Sequence, residues 1–508
     1  MTSTRRDFLK AAVAVAVPML IPRSAFAADD RIGVALIGAG IRSGPLYRAF
    51  GVDKRVKILY VTDPDVNRAK ILCDAVDKQF GYRPEVLVDF RKTLDDKAVN
   101  AVACAASNHW HALTAIWAFQ AGKHCYMEKP TSYSLFEGKA MTAAAKKSGL
   151  VFQAGTQRRT TGNVNDLVDY IRSGGIGDVK LARLIGNRPR KAIGPPGTYP
   201  VPNGVDYDFW SGPVPVKPLT RREFHYDWHW QRLYGNGDLG NQCSHRLDIC
   251  RWALGVDGFP NSVFTYGGRL GYDVETKNPN YQDAGDTANT STTIYDYGGK
   301  TIVCEVRGLE SPPFWLPVGN KVGSMIGIVF YGTDGYGIQA PLGRGNIYSV
   351  SGIYDLKGNL VKEFKDLGAD GKITPDQVAT DRHAANFIDA VLANDPKKVT
   401  ADARCGELSA ALAHLGNISY YLGENDKVSA DELKRTVQKV KSADDNEETL
   451  ARTLEHLEAN GVDLKRTPLS LGAMLNIDTE KEIFIDNDQA NALMTREYRK
   501  PFEVPETL

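Results

Sequence analysis

Val34-Ala35-Leu36-Ile37 is a short apolar run that ends at Gly38-Ala39-Gly40-Ile41-Arg42-Ser43-Gly44, and Pro45 follows where a helix would take its first turn. A buried strand, a tight glycine turn and a helix in that order open a doubly wound parallel sheet and few other folds. The glycines let the backbone approach a pyrophosphate, and the helix N-terminus offers it N–H donors and positive dipole. Gly44 stands one place later than the third glycine of the usual fingerprint, so the strand and helix around the turn carry much of the inference. Gly38, Gly40, Ile41 and Arg42 are therefore the expected cofactor-binding residues of this turn.

The alternation continues. Lys57 to Thr62 reads as a strand ending at Asp63, and Asp65 as the cap of a helix running to Phe80 and stopping at Gly81. Ala101 to Ala105, His124 to Met127 and Val151 to Ala154 read as further strands, with a helix over Trp110 to Gln120 between the first two. Ser134 and Glu137 have capping-box spacing for a helix ending at Gly149. Residues 28–153 are thus expected to form a Rossmann domain. Asp63 would accept hydrogen bonds from adenosine ribose hydroxyls, which favours NAD. NADP stays open, because Arg42 is a cation that a 2′-phosphate would use.

After Gly155 the pattern changes. Residues 196–230, rich in Pro, Trp, Tyr and Asp, read as a long ordered loop over a site. Thr290 to Tyr297, Thr301 to Arg307 and Met325 to Tyr331 belong to an open, largely antiparallel sheet. Arg382 to Ala393 and Ala403 to Leu422 read as helices. The fold class is α/β, a Rossmann domain followed by an α+β domain over 154–424 whose terminal helices span 382–422. The extension 425–508 has charged helical pieces and a strand-like segment, Glu482 to Ile485, and is expected to wrap over the sheet or a neighbouring subunit.

Upstream of the glycine turn, Thr4-Arg5-Arg6-Asp7-Phe8-Leu9-Lys10, the apolar run Ala11 to Leu20 and Ala25-Phe26-Ala27 form a twin-arginine export pattern over residues 1–27. That route carries proteins already folded, so a cofactor would be loaded before export to the periplasm or beyond. The apolar run is too short to span a bilayer, and no membrane anchor is expected once it is removed. The net charge is +1; loss of residues 1–27 removes four basic residues and one acidic, leaving about −2. That balance argues against nucleic acid as a partner. The seven cysteines have no metal-binding or CxxC spacing, so no metal is expected, and folding in the reducing cytoplasm predicts mostly free thiols.

Ala121-Gly122-Lys123-His124-Cys125-Tyr126-Met127-Glu128-Lys129-Pro130, with Ser107-Asn108-His109-Trp110-His111-Ala112 before it, resembles the Gfo/Idh/MocA oxidoreductases, the glucose–fructose oxidoreductase and inositol dehydrogenase group. The resemblance runs from Arg31 to about Leu422. It implies that Ser107, Asn108, His111, Glu128 and Lys129 border the cofactor and that Lys129 is catalytic, steadying a substrate hydroxyl as it loses its proton. The segment Gly235 to Asp248 resembles the one in which the family presents an acid and, four residues on, a histidine. His245 matches the histidine, a base that titrates near neutrality. Asn241 stands where the acid would be and cannot take a proton. Proton handling therefore falls to Lys129 and His245, with Asp238 and Asp248 as further candidates. Gln157, Arg159, Arg190, Tyr226, Trp228, Asn241 and His245 are the expected substrate residues, with His229 beside them.

The expected activity is NAD-dependent interconversion of a secondary alcohol and a ketone on a sugar, polyol or glycoside. Outside the cytoplasm that suggests a cofactor held tightly and recycled within one site. A glycosidase working by transient oxidation and elimination is the alternative, and a non-catalytic sugar-binding protein a third. The resemblance also implies a homo-oligomer, dimer or tetramer, paired through the open sheet face.

Overall fold

The structure is a computed structural model that describes residues 31–310, 326–341, 349–365 and 374–505. The export pattern of residues 1–27 lies outside them.

The first domain runs β1 (Ile32–Ile37), α1 (Ser43–Gly51), β2 (Val56–Thr62), α2 (Val66–Phe80), β3 (Glu85–Leu87), α3 (Arg91–Leu94), β4 (Ala101–Cys104), α4 (His111–Gln120), β5 (His124–Glu128), α5 (Leu135–Ser148) and β6 (Phe152–Gly155). Its six strands are all parallel, in the order β3-β2-β1-β4-β5-β6. The order reverses between β1 and β4, so a crevice opens at their carboxyl ends. Asp65 caps α2 by accepting the Asn67 N–H at 2.9 Å. The Ser134–Glu137 box is half made. Ser134 Oγ accepts the Glu137 N–H, but the Glu137 carboxylate takes the N–H of Tyr133, held there by Arg496 at 3.2 Å.

The second domain follows as α6 (Gly162–Arg172), β7 (Val179–Asn187), α7 (Tyr207–Ser211), α8 (Gly237–Asn241), α9 (Ser244–Leu254), β8 (Ser262–Gly268), α10 (Tyr272–Glu275), β9 (Thr290–Asp296), β10 (Thr301–Arg307), β11 (Ile326–Gly332), β12 (Gly335–Pro341), β13 (Ser349–Asp355), β14 (Leu360–Phe364), α11 (Pro375–Ala393) and α12 (Ala403–Leu422). Its sheet is antiparallel except where β7 lies parallel to β10. β7 has no alternating pattern to announce it, because eight of its nine residues are buried and both its faces are covered. Helix α11 starts seven residues before the expected Arg382, at a Thr374 cap, and its Phe387 and Ile388 pack into the first domain against Phe50 and Tyr126.

The tail comprises β15 (Lys427–Val428), α13 (Ala430–Val437), α14 (Asn446–Ala459), β16 (Leu469–Leu471), β17 (Leu475–Asp478), β18 (Ile483–Phe484) and α15 (Asp488–Ala492). β16 and β17 both pair with β8 and extend that edge of the second sheet. One sheet face, including Ala182, Val263, Tyr295 and Ile302, packs on α6, α9 and α12. The opposite face, with Leu181, Phe264, Ile294 and Val303, packs beneath Leu433, Val437, Leu450 and Leu457 of α13 and α14. The expected open face is therefore closed over β7–β10 by the chain's own tail. The last residues return to the first domain, where Phe502 packs on Trp110 and Phe209. All seven cysteines are free thiols.

Candidate active site

A cleft of about 530 Å³ runs along the carboxyl ends of β1, β2, β4 and β5 and beneath the 196–236 loop. Its first-domain lining begins at the glycine turn. Gly38 has φ +89°, and a Cβ there would meet Ala105 O at 2.7 Å, so only glycine fits. A Cβ on Gly40 would meet nothing within 4 Å, which leaves the backbone open to a ligand. Ile41 stands 78% exposed on the lip of the cleft. An open turn at a helix N-terminus, with an exposed apolar side chain beside it, fits a dinucleotide.

Arg42 also lines the cleft, but its guanidinium is committed. It donates to Glu128 Oε1 at 2.8 Å, to Asp376 at 3.1 Å and to Thr380 Oγ1 at 3.1 Å, tying the turn to β5 and α11. It is a latch, and no longer a ready partner for a 2′-phosphate. Asp63 borders the cleft with one carboxylate oxygen on the Ala39 N–H at 2.6 Å and the other on the Asp65 N–H at 2.8 Å. Burial outweighs these donors and pushes its carboxyl up to about 6. Arg68, one turn into α2, is the cation beside it.

At the other end, Ser107, Asn108, His111, Glu128 and Lys129 line the cleft. Asn108 donates to Asn236 Oδ1 at 3.0 Å across the two domains. The His111 ring lies between two carbonyl oxygens, Nδ1 2.6 Å from Pro130 O and Nε2 2.9 Å from Ala106 O, so it braces the strand end that carries Lys129. Glu128 is buried and accepts from both Arg42 and Gln157. Lys129 Nζ donates to the Asn241 backbone carbonyl at 2.6 Å and reaches the Asn241 amide oxygen at 3.3 Å. Burial lowers its ammonium to about 8, with Arg42, Arg246 and Arg188 adding to the effect and Glu128 opposing it.

His245, the second residue of α9, lines the same end. Its Nδ1 is buried with no hydrogen-bond partner. Burial, then Lys129 and Arg246, hold the ring well below the ordinary histidine range, so it is a neutral base at any pH near 7. Tyr226, Trp228 and His229 line the cleft too, with the His229 ring stacked on Trp228 at 3.7 Å. Burial drops His229 to about 3.

Three expected substrate residues lie elsewhere. Gln157 is buried under β5, donating to Tyr126 and Glu128. Arg159 makes a two-pronged pair with fully buried Asp248, at 2.8 and 2.9 Å. Arg190 lies against Trp230 and bonds Tyr226 and Asp238, on a neighbouring cavity. These pairings also remove Asp238 and Asp248 as proton carriers, since neither borders the cleft. Sequence reasoning passed over Arg188, Gln242, Trp210, His225 and Asp376, which do border it. The Arg188-Pro189-Arg190 run at the end of β7 was the available signal, and Arg190 was the wrong one of its two arginines.

The loop over the cleft is pinned at both ends. Val66 N–H donates to Gly204 O, Asp206 N–H to Pro64 O, and His225 Nε2 lies 3.0 Å from the Asp65 carboxylate. Inside the loop, Arg221 is buried against the rings of Trp210, Phe224 and Tyr234. From the tail, Arg499 holds Asp208 at 2.5 Å and donates to Gly212 O. Among the described residues no helix is long and apolar enough to cross a membrane, and no cluster of three His, Cys, Asp or Glu side chains has metal-site geometry.

Residues 32–156 match the NAD-binding Rossmann domain of an oxidoreductase family, and residues 196–303 match that family's C-terminal α/β domain. The chain is 28% identical to levoglucosan dehydrogenase of Pseudarthrobacter phenanthrenivorans over 46% of its own length and 54% of that protein. It is 30% identical to inositol 2-dehydrogenase of Salmonella typhimurium over 29% of its length and 41% of that protein. The matches thus span about half the length of these relatives. A solved levoglucosan dehydrogenase, in complex with NADH and levoglucosan, superposes with a TM-score of 0.55 at 18% identity, covering 76% of this chain and 96% of that one.

Proposed function

We propose that this chain, which belongs to the Gfo/Idh/MocA oxidoreductase family, is an NAD-dependent enzyme that interconverts a secondary alcohol and a ketone on a carbohydrate or polyol. The observation that carries this reading is the meeting of Lys129, Asn241 and His245 at one end of a cleft whose other end is the open glycine turn. The relatives' names, levoglucosan dehydrogenase and inositol 2-dehydrogenase, support the substrate class.

Gly38, Gly40, Ile41 and Asp63 would hold the adenosine and pyrophosphate half of NAD, and Ser107, Asn108 and Lys129 would border its nicotinamide. Bound there, NAD supplies the acceptor for the hydride that leaves the carbinol carbon. The chain's own residues handle the proton. His245 is neutral and takes the hydroxyl proton as the carbon–oxygen double bond forms. Lys129, charged below about pH 8, donates to the same oxygen and stabilises the charge that develops on it. Asn241 holds the ammonium in place without neutralising it. In the reverse direction His245 returns the proton.

Export by the twin-arginine route with the cofactor already bound belongs to the same proposal. The loop and tail that pin the cleft favour slow exchange of a dinucleotide. Pairing of copies would use a surface other than the sheet face beneath α13 and α14.

The test is mass spectrometry of nucleotide released from purified protein, followed by sugars and glycosides scored at the NADH absorbance. NAD in the protein and a change in absorbance on adding sugar are expected. Protein that neither carries nor binds NAD would overturn the reading. Free aglycone with the cofactor unchanged would favour oxidation–elimination chemistry instead.

A further inference from the structure

We propose that the carbohydrate taken by this cleft carries an anionic substituent, held against Arg188 and Arg246 at the His245 end. The inference rests on the oxidoreductase reading above and narrows its substrate class.

The argument is one of charge left without a partner. Arg188 leaves the end of β7, lines the cleft, and among the described residues has as its one side-chain hydrogen-bond partner a neutral oxygen, Gln242 Oε1 at 3.3 Å. Arg246 follows His245 on α9, and its Nε is buried with no hydrogen-bond partner. Neither guanidinium forms an ion pair with a carboxylate among the described residues. Each acts on Lys129, and they act on each other; Lys129 and Arg188 line the cleft, and Arg246 is the chain neighbour of His245, which also lines it. Burial, then Arg158, pulls Arg246 down to about 10, the direction expected of a cation among cations.

The carboxylates on the cleft are already engaged. Glu128 is held by Arg42 and Gln157, and Asp63 by two backbone N–H groups. Asp376 reaches Arg246 electrostatically, but its carboxylate is exposed and bonded to Arg42. The cofactor's own phosphates do not answer for these cations, because their donors are at the glycine turn on the first domain. A neutral sugar would leave the buried Nε of Arg246 without an acceptor and the exposed Arg188 without a counter-charge. A carboxylate, sulfate or phosphate ester would satisfy them through charge-assisted bonds, and the guanidinium fork matches a planar carboxylate best.

The experiment uses the full chain with its cofactor. Initial rates at the NADH absorbance are compared for glucose and galactose, their uronic acids, their 6-sulfates and their 6-phosphates. The charged sugars are expected to exceed their neutral parents in kcat/KM by at least about tenfold, carboxylate or ester according to which substituent the site prefers. Arg188→Gln and Arg246→Gln should each cut that charged-to-neutral ratio by about tenfold while NADH still binds, and Arg188→Lys should restore part of it. Arg188 is exposed, so its variants report even if Arg246→Gln fails to fold. Neutral parents turned over as well as the charged sugars, or a ratio unmoved in the variants, would overturn this inference alone. No absorbance change with any of the sugars would overturn the oxidoreductase reading, and this inference with it.

Discussion

The Lys129 ammonium lies 2.6 Å from the backbone carbonyl oxygen of Asn241 and 3.3 Å from its side-chain oxygen, a pair of neutral ligands on a partly buried cation. An acid at that position would hold the lysine proton more firmly. With a neutral amide there, burial leaves Lys129 at about 8, close enough to neutrality to set the pH range of the proposed reaction. If, as proposed, the charged form donates to the substrate oxygen, kcat/KM should fall as pH rises through about 8. Asn241→Asp places a negative charge beside Nζ and should raise the lysine by about one to three units, moving the alkaline limb upward by as much. A limb that stays at the same pH in Asn241→Asp would remove Lys129 from the chemistry.

Among the histidines on the cleft, His111 is braced between two carbonyl oxygens, His225 faces the Asp65 carboxylate and His229 is stacked on Trp228, which leaves His245 as the proposed base. Asp238 is tied to Arg190, and Asp248 to Arg159 and Ser409. His245→Asn should therefore lower kcat by about 10²- to 10⁴-fold and leave NADH affinity nearly unchanged. Stopped-flow measurement of hydride transfer beside a fluorescence titration of NADH separates the two effects. Near wild-type transfer in the variant would shift the base to another group.

Much of this was legible in the sequence because the relevant signals are local. The glycine turn, the Asp65 cap and the Lys129 and His245 segments each depend on residues close together in the chain. The misread residues depend on distant partners. Arg159 and Gln157 sit in the same short stretch after β6, and nothing local says that Asp248 and Glu128 will claim them. Arg42 looked like a phosphate ligand until α11, more than 330 residues on, supplied Asp376 and Thr380. The sheet face looked open because its cover comes from helices whose charged sequences give little hint of where they dock.

Arg159 and Asp248 make a testable case of that distinction. Asp248 is fully buried, accepts from both prongs of Arg159, and also accepts from Ser409 Oγ at 2.8 Å. Burial pushes its carboxyl up, but Arg159 more than offsets this and holds it below the ordinary range. Asp248→Asn strands a buried guanidinium and should cost about 3–5 kcal/mol of stability. Calorimetry should show a lower Tm with the sugar KM nearly unchanged at a temperature where the variant is folded. A large change in KM without loss of stability would return Arg159 to the substrate site.

Glu305 gives the corresponding test for the tail. Its buried carboxylate on β10 meets Arg307 at 2.5 Å and Arg452 of α14 at 3.0 Å, while Arg183 bridges to Asp444 in the tail. Burial alone would raise its pKa, yet Arg307, Arg452 and Arg183 outweigh burial and pull it to about 2. A carboxyl lowered by folding stabilises the fold above its ordinary value, near 4.5, and that contribution is lost as pH falls from there through about 2. The shift corresponds to roughly 3 kcal/mol. Urea midpoints should therefore drop between pH 5 and pH 3 by more in the wild type than in Glu305→Gln. The variant should also be cut sooner within residues 425–505 by a protease at pH 7, because Arg452 loses the anion that docks α14. Equal pH slopes and equal cleavage would mean that the apolar contacts of α13 and α14 hold the tail on the sheet without this charge network.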